Sequence, residues 1–283
     1  VTSFFWILVR TVILLGLCYI ILYPFFIKII NAFKSYSDFI DPTVRFLPKH
    51  FTFNNIKHVV KEMNYWLALR NTMFVSVFLS AIQTVVCAVI GYGFARFQFK
   101  GRGICFFLVI FSLIVPSQTI ILPLYLKFKT FLGVFNLIGT AWPLAILSLS
   151  GLGIKNGLYI FMFRQFFRNM PKELEEASYL DGCGTFRTFS KIMFPAATST
   201  MVTVFLLSLA WQWTDTVFTP RFLDEADIMA RNVSALMQSS GKPIEVANYV
   251  NIGAVLAVIP IALIYIILQK FFVESIDRAG IVG

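Results

Sequence analysis

The chain has 283 residues, of which 58% are hydrophobic and only 13% are charged, whereas soluble domains average about 45–50% apolar and about 25% charged residues. A soluble fold of this size cannot bury so much apolar surface, which excludes a soluble enzyme, a disordered chain and a nucleic-acid-binding module. The formal net charge of +10 therefore indicates anchoring at anionic lipid headgroups rather than a nucleic-acid partner.

The apolar residues form long uninterrupted blocks, which predicts an all-α polytopic membrane protein with about six transmembrane helices. The charge-free blocks are Thr11–Ile27, Asn71–Ala95, Gly103–Leu126, Thr130–Ile154, Ile192–Thr214 and Val246–Gln269. Pro116 and Pro123 predict kinks in the third block. The four cysteines have no paired spacing, so we expect free thiols rather than disulfides or a zinc site.

The first block has two interpretations. With Arg10 as its basic region it resembles a signal peptide. However, it is longer than a typical signal core, and the sequence YPFF at 23–26 follows instead of a small-residue cleavage site. We therefore predict a retained span that extends toward Ile30, with Lys28 snorkelling to the headgroups.

The fourth block is rich in glycine and contains Pro143, which is poor material for one straight helix. We predict a short interfacial helix near Leu137–Leu149 and a span from Gly151 to Phe167. This assignment puts Lys155 inside the membrane zone, where an ionisable side chain is costly and usually faces a cavity. The alternative is a lysine that snorkels to the outer headgroups.

The most charged part of the chain lies between Arg164 and Pro195. Pro171 is suited to the first position of a helix, and acidic residues follow it in the first turn. Gly182 and Gly184 then interrupt the helix, and a second helix leads to the next span at Pro195. The pattern predicts a helix–turn–helix at the membrane surface.

The sequence of this segment resembles the EAA loop of ABC importer permeases. Residues 176–182 read EASYLDG, against the family pattern EAAxxDG, with Ser178 in place of the second alanine. After nine intervening residues, residues 192–195 read IMFP, against IxLP. The register of Glu176, Asp181, Gly182, Ile192 and Pro195 is kept throughout.

Further stretches resemble the carbohydrate-uptake subfamily, and specifically the second permease of maltose-type systems. They are the RNT at 70–72, the YGFARF at 92–97, the ILPLY at 121–125, the FRQFFRNMPKELEEA at 163–177, and the tail from Gln269 to Gly283. The sequence departs from the family at residues 213–216, which read WTDT where the family usually has WNDF.

The resemblance implies a role for each matching residue of the loop. In the family, the EAA helix docks on a separate ATPase, with small residues at the contact, acids pairing with donors, and a glycine at the bend. The residues so implicated here are Glu173, Glu176, Ala177, Ser178, Asp181, Gly182, Ile192 and Pro195. The chain has no P-loop motif, so we expect it not to be an enzyme and to bind no cofactor, with ATP on partner subunits.

The resemblance also implies the assembly: a second related permease, two copies of an ABC ATPase, an extracytoplasmic solute-binding protein and the surrounding lipids. The expected location is the cytoplasmic membrane of a bacterium or archaeon, with both termini cytoplasmic; the Lys/Arg distribution alone does not decide the orientation. The expected organisation is one transmembrane domain over 1–283. Within it we expect core spans at 71–272, the coupling loop at 164–195 and an extracytoplasmic loop at 220–245.

Four residues are candidates for the solute path: Asn71, Lys155, Trp211 and Trp213. The tryptophan rings suit stacking on a sugar ring or, alternatively, membership of the interfacial aromatic belt. The predicted solute is a sugar or oligosaccharide, with an acidic sugar or a polyol phosphate as the alternative. An autonomous secondary transporter should show internal repeats and buried acids for ion coupling, and it is disfavoured because the second, third and sixth blocks contain no Asp or Glu. A membrane enzyme or metal site is disfavoured because His50 and His58 lack acids at suitable spacing.

Overall fold

The computed structural model describes the backbone of residues 2–280 and the side chains of residues 4–269. Within that range the regular structure is helical, as predicted, and the only β-type pairings are two isolated bridges. In chain order the helices are α1 (Thr2–Ala32), α2 (Tyr36–Ile40), α3 (Asn54–Glu62), α4 (Tyr65–Arg96), α5 (Arg102–Phe111), α6 (Ser117–Lys129), α7 (Trp142–Leu149), α8 (Asn156–Asn169), α9 (Glu173–Leu180), α10 (Thr185–Thr188), a π-helical segment (Phe189–Met193), α11 (Phe194–Ala196), α12 (Thr198–Trp213), α13 (Thr219–Phe222), α14 (Met229–Ala235), a 3₁₀ turn (Leu236–Gln238) and α15 (Pro243–Gly280).

Three of the predicted spans form helices that are long and apolar enough to cross a bilayer. They cover Phe4–Ala32, Tyr65–Arg96 and Pro243–Gln269, with mean hydropathies of 2.4, 2.3 and 2.5. The first continues past Ile27, as the retained-span interpretation predicts. None of its most apolar window is buried within the chain, which fits a helix whose side chains contact lipid.

The third predicted span is not one helix. It divides into α5 and α6, with a break between Phe111 and Ser117. Pro116 lacks a backbone N–H and disfavours helical geometry at the residue before it, so the helix stops there. Pro123, by contrast, lies inside α6 without interrupting it.

The fourth predicted region also differs from expectation. A short helix is present, but it begins at Trp142 rather than near Leu137. The span that was predicted to begin at Gly151 is the 14-residue helix α8, which begins at Asn156. Gly151 and Lys155 both have left-handed backbone angles, with φ of 79° and 61°. These angles are incompatible with helix, which moves the start of α8 toward the C-terminus.

The fifth span is bent. The helical stretches Thr185–Ala196 and Thr198–Trp213 meet at an angle of 73° and pass the length and apolarity test for a span only together. Pro195 lies in the short helix α11 and the main helix of the span, α12, begins three residues later. The break lies at Ala197, whose φ of −83° and ψ of 8° depart from helical geometry and redirect the chain.

The chain divides into two compact units. The first contains the described residues up to Leu69 together with Asp227–Pro260, and its core includes Val59, Met63, Leu236 and Ile252. The amide of Asn232 donates to the Met63 carbonyl at 2.7 Å, which fastens α14 to the chain just before α4. The second unit contains Arg70–Ala226 and the described residues beyond Pro260.

The segment 220–245, predicted as a polar loop, is largely folded. Asp224 and Glu225 are exposed, as a polar loop requires. However, Phe222 is buried in the second unit, and Met229 and Leu236 are buried in the core of the first. Deleting the whole segment would therefore remove core side chains as well as surface acids.

The core of the second unit is built on a close approach of α4 and α8. It contains Tyr92, Tyr159, Phe163 and Phe167, packed with residues of the π-helical segment and α12. The helices approach closely because Gly91 has no side chain. A Cβ atom there would lie 2.5 Å from Cβ of Phe163 and 3.0 Å from the backbone nitrogen of Arg164.

We expect Gly91→Ala to destabilise the second unit by roughly 1–3 kcal/mol, because a methyl group facing backbone atoms forces the two helices apart. The measurement is thermal unfolding of the purified protein in detergent. The matched control is Gly93→Ala on the same helix, where the nearest atom, of Phe97, is 3.9 Å from the added Cβ. Equal melting temperatures for the two variants would contradict the close packing described here.

Candidate functional site

The segment that resembles the EAA loop forms two short helices joined by a tight turn. Three acids occupy the first turn of α9, as predicted, but the helix begins at Glu173 and Pro171 lies outside it. Gly182 has a left-handed φ of 79°. The amide of Cys183 returns to the carbonyl of Ser178 at 3.0 Å, which is how a left-handed glycine ends a helix.

Ser178 joins the two helices. Its hydroxyl lies 2.9 Å from the hydroxyl of Thr188 on α10, and both residues are buried. The resemblance implies that Ser178, like Ala177, is a small residue at the ATPase contact, but in this chain its side chain is covered by α10. At this position the serine fixes the angle between α9 and α10.

The outer side of the two helices carries both acids and apolar groups. Leu180 is 89% exposed and Phe186 is 82% exposed. We call this the α9–α10 surface; its residues, all exposed, are Glu173, Glu176, Ala177, Leu180, Asp181, Gly182 and Phe186. The sequence interpretation missed Leu180 and Phe186, although two apolar residues flanking a glycine turn in a polar segment are a usable signal of a contact surface.

The last two residues of the matched motif lie elsewhere. Ile192 is half-buried and packs against the core of the second unit. Pro195 is exposed in α11, just before the 73° bend. Both belong to the connection between the α9–α10 surface and α12 rather than to the surface itself.

A buried charged cluster holds α9 against the end of α4. The hydroxyl of Tyr92 donates to Oε1 of Glu175 at 2.7 Å, and Nε of Arg96 lies 3.2 Å from Oε2. Arg96 also donates to the carbonyl of Met170 at 2.8 Å. The carboxylate is thus paired and hydrogen-bonded, as a buried charge must be.

The sequence interpretation missed this role of Glu175. It attributed the residue only to the favourable first turn of a helix. Arg96 ends an apolar helix and is followed by Lys100 and Arg102. Basic residues are common at the ends of membrane helices without an acidic partner, so no sequence signal indicated the pair with Glu175.

A cavity of about 440 Å³ lies inside the second unit. It is bordered by the break between α5 and α6, by α7, by the glycine-rich segment that leads into α8, and by the end of α12. Among the lining residues are Ser112, Leu113, Ser117, Pro123, Leu147, Ser148, Lys155, Asn156, Gln212 and Phe218. Its volume is in the range of small-molecule sites.

Of the four predicted solute-path residues, Lys155 and Trp211 contact each other. Lys155 lines the cavity, and its Nζ lies over the ring of Trp211, 4.7 Å from the centroid. Trp211 is 44% exposed, but Trp213 is buried and thus not accessible to a solute. Asn71 is half-buried and is not among the residues that line the cavity.

A chain of buried amides and hydroxyls lies beside the cavity. The amide of Gln83 donates to the carbonyl of Ile154 at 3.2 Å, and its oxygen accepts from the hydroxyl of Ser208 and, at 3.3 Å, from the amide of Gln212. The sequence interpretation treated α4 and α12 as plain spans and missed these residues. Polar side chains inside apolar helices are the signal for such a network.

Comparisons with known proteins agree on one family. A family model described as "Binding-protein-dependent transport system inner membrane component" matches residues 85–278. The probable ABC transporter permease protein YurM of Bacillus subtilis is 29% identical, over 93% of this chain and 84% of that protein. The maltodextrin transport system permease protein MalD of Streptococcus pneumoniae is 27% identical, over 94% and 92%.

A second relative and a solved structure extend the comparison. The arabinooligosaccharides transport system permease protein AraQ of Halalkalibacterium halodurans is 25% identical, over 94% of this chain and 93% of that protein. The fold is similar to a chain in the crystal structure of a bacterial ABC transporter involved in the import of the acidic polysaccharide alginate. The TM-score is 0.74 at 20% identity, and 96% of this chain and 98% of that chain are covered.

Proposed function

The chain belongs to the family of binding-protein-dependent transport system inner membrane components, and on that premise we propose that it imports a sugar or oligosaccharide and is driven by a separate ATPase through the α9–α10 surface. As a member of the family it is a multi-pass permease subunit of an ABC importer. Relatives named for arabinooligosaccharides, maltodextrin and melibiose, raffinose and stachyose support a carbohydrate as the solute.

The observation that carries the proposal is the composition of the α9–α10 surface. Exposed Leu180 and Phe186 lie beside Glu173, Glu176 and Asp181 on two short helices. An apolar centre with charged neighbours is the usual anatomy of a protein interface. Because the chain contains no P-loop, we place ATP hydrolysis on the protein that docks there.

The connection of this surface to the membrane helices supports a mechanical role. Glu175 fastens α9 to α4 through Tyr92 and Arg96, and the π-helical segment and α11 connect it to α12. A partner that moves α9 therefore moves two membrane helices with it. Such rigid-body displacement is a known form of switching transition.

We propose the following assembly: one copy of this chain, one copy of a related second permease, two copies of an ABC ATPase and an extracytoplasmic binding protein. The membrane is the cytoplasmic membrane of a bacterium or archaeon, with both termini and the α9–α10 surface on the cytoplasmic side. Exposed Asp224 and Glu225 are the candidates for contact with the binding protein. The support for this arrangement is the family resemblance of the sequence.

Reconstitution tests the proposed function. The complex, purified from native membranes through a tag on this chain, is placed in liposomes with its binding protein, and uptake of labelled maltotriose, raffinose and arabinotriose is measured. We expect uptake of at least one sugar that requires both ATP and the binding protein. Uptake by this chain alone, driven by an ion gradient, would instead identify a secondary transporter.

Subunit composition tests the proposed partners. Quantitative mass spectrometry of the same complex should give this chain and a second, non-identical permease in equal amounts, with twice that amount of ATPase. Two copies of this chain without a second permease would overturn the heterodimer.

A further inference from the structure

Three arginines lie close together at one end of the packed helices α5 and α8. Arg164 and Arg168 are one turn apart on α8, and Arg102 is the first residue of α5. Both Arg102 and Arg168 are close enough to repel the positive charge of Arg164. Within residues 4–269, no acidic side chain forms an ion pair with any of the three. Because like charges side by side are destabilising, the cluster favours a bound anion from outside the chain.

The side chain of Arg164 is held in place by aromatic rings. Its guanidinium carbon lies 4.1 Å from the ring centroid of Phe106 on α5. The Phe106 ring packs in turn on the rings of Phe94 and Phe161, with centroid distances of 5.5 Å and 6.4 Å. A guanidinium group that is stacked in this way keeps its orientation before any ligand arrives, so less entropy is lost on binding.

The outer edge of the Arg164 guanidinium group is available for binding. Its Nε is buried without a hydrogen-bond partner, whereas its two terminal nitrogens remain accessible from outside the chain. Arg168 beside it is exposed, and Arg102 is half-buried with Nη1 donating to the carbonyl of Phe97 at 3.2 Å. Terminal guanidinium nitrogens form strong, charge-assisted hydrogen bonds with phosphate oxygens. The cluster therefore has the donors that an anionic phosphate group needs.

Exposed apolar side chains continue from the arginines along the same two helices. Phe161, about one turn before Arg164 on α8, is 37% exposed and packs beside Phe106. On α5, Phe107 and Phe111 stack on each other and are 63% and 48% exposed. Cations at the end of a helix pair, followed by exposed aromatic rings, match the charged headgroup and apolar chains of a phospholipid.

We propose that Arg102, Arg164 and Arg168 form a binding site for the headgroup of an anionic phospholipid such as phosphatidylglycerol. The lipid phosphate accepts from the terminal nitrogens of Arg164 and Arg168, and the acyl chains lie along the exposed phenylalanines of α5 and α8. A free phosphate ion matches only the arginines, whereas a phospholipid matches the arginines and the apolar surface. The inference assigns one lipid to one place, and it depends neither on the identity of the solute nor on the energy source.

The test is native mass spectrometry of the full complex, purified in detergent through a tag on this chain and titrated with phosphatidylglycerol or phosphatidylcholine. We expect saturable binding of phosphatidylglycerol that excess inorganic phosphate does not displace, and weaker binding of phosphatidylcholine. Arg168→Gln should weaken phosphatidylglycerol binding about fivefold, which is the effect of one basic residue beside an anionic membrane. Because Arg168 is exposed, this variant should fold normally, and Arg164→Gln should weaken binding at least as much.

The matched control is Arg187→Gln, which removes an exposed cation of α10 in the same unit and should leave the affinity for phosphatidylglycerol unchanged. Equal affinity in Arg168→Gln and the native complex, or displacement by inorganic phosphate, would overturn the lipid site. An acidic side chain of a neighbouring subunit is the competing partner. Lipid binding only after removal of the ATPase, with reduced ATPase retention in Arg168→Gln, would identify that partner and would also overturn the lipid site.

Discussion

Glu175→Gln should uncouple α9 from α4 and abolish most solute uptake. Only 8% of the Arg96 side chain and 11% of the Glu175 side chain are exposed. Removing one charge of such a pair leaves the other buried and uncompensated, which typically costs about 3–5 kcal/mol. Glutamine still accepts a hydrogen bond from Tyr92, so the variant removes the charge and little else.

The measurements are thermal unfolding of the purified complex and solute uptake in vesicles. The matched control is Glu173→Gln, which neutralises an exposed acid in the same turn of α9 and should leave the melting temperature unchanged. A double variant, Arg96→Met with Glu175→Leu, replaces the pair by apolar side chains and should recover part of the lost stability. Equal stability of Glu175→Gln and Glu173→Gln would show that the cluster does not hold α9 in place.

Local signals were sufficient to predict the two helices of the α9–α10 surface. The acids of the first turn and the glycine at 182 act within a few residues, and the structure has both the helix and the left-handed turn. The long apolar blocks of α1, α4 and α15 were equally predictable, because about 20 consecutive apolar residues have few alternatives to a membrane helix.

The contacts that fasten these elements were not predictable in the same way. Glu175 meets Tyr92, 83 positions earlier in the chain, and no local pattern identifies such a partner. Ser178 and Ala177 are adjacent and both small, and only the position of α10 determines that Ser178 is buried. Trp213 likewise looks like a belt or ligand residue from its neighbours, but the packing of the second unit covers it.

The broken spans show a limit of charge-free runs as a measure of helices. Gly103–Leu126 contains no charge, yet Pro116 divides it. The glycines and Lys155 before α8 carry left-handed angles that shorten the next helix. Irregular backbone at membrane depth is tolerated where it lines a cavity or is buried in protein, and both interruptions lie beside the cavity of the second unit.

Ala177→Asp should detach the ATPase from an otherwise folded permease. Ala177 is exposed on the α9–α10 surface, between Glu176 and the buried Ser178. If a partner docks there, the new carboxylate is buried against it without a cation. The desolvation penalty of such an unpaired charge is on the order of several kcal/mol, enough to reduce affinity by a factor of a hundred or more.

The measurement is ATPase retention on affinity-purified membrane subunits, together with solute uptake in vesicles. The control is Asn54→Asp, which introduces a carboxylate on an exposed residue at the start of α3 and should preserve both readouts. Thermal unfolding of the isolated permease should be the same for both variants, since each side chain is exposed. The loss of ATPase binding is expected only when the partner is present. Full ATPase retention and full uptake in Ala177→Asp would show that the ATPase does not dock on the α9–α10 surface.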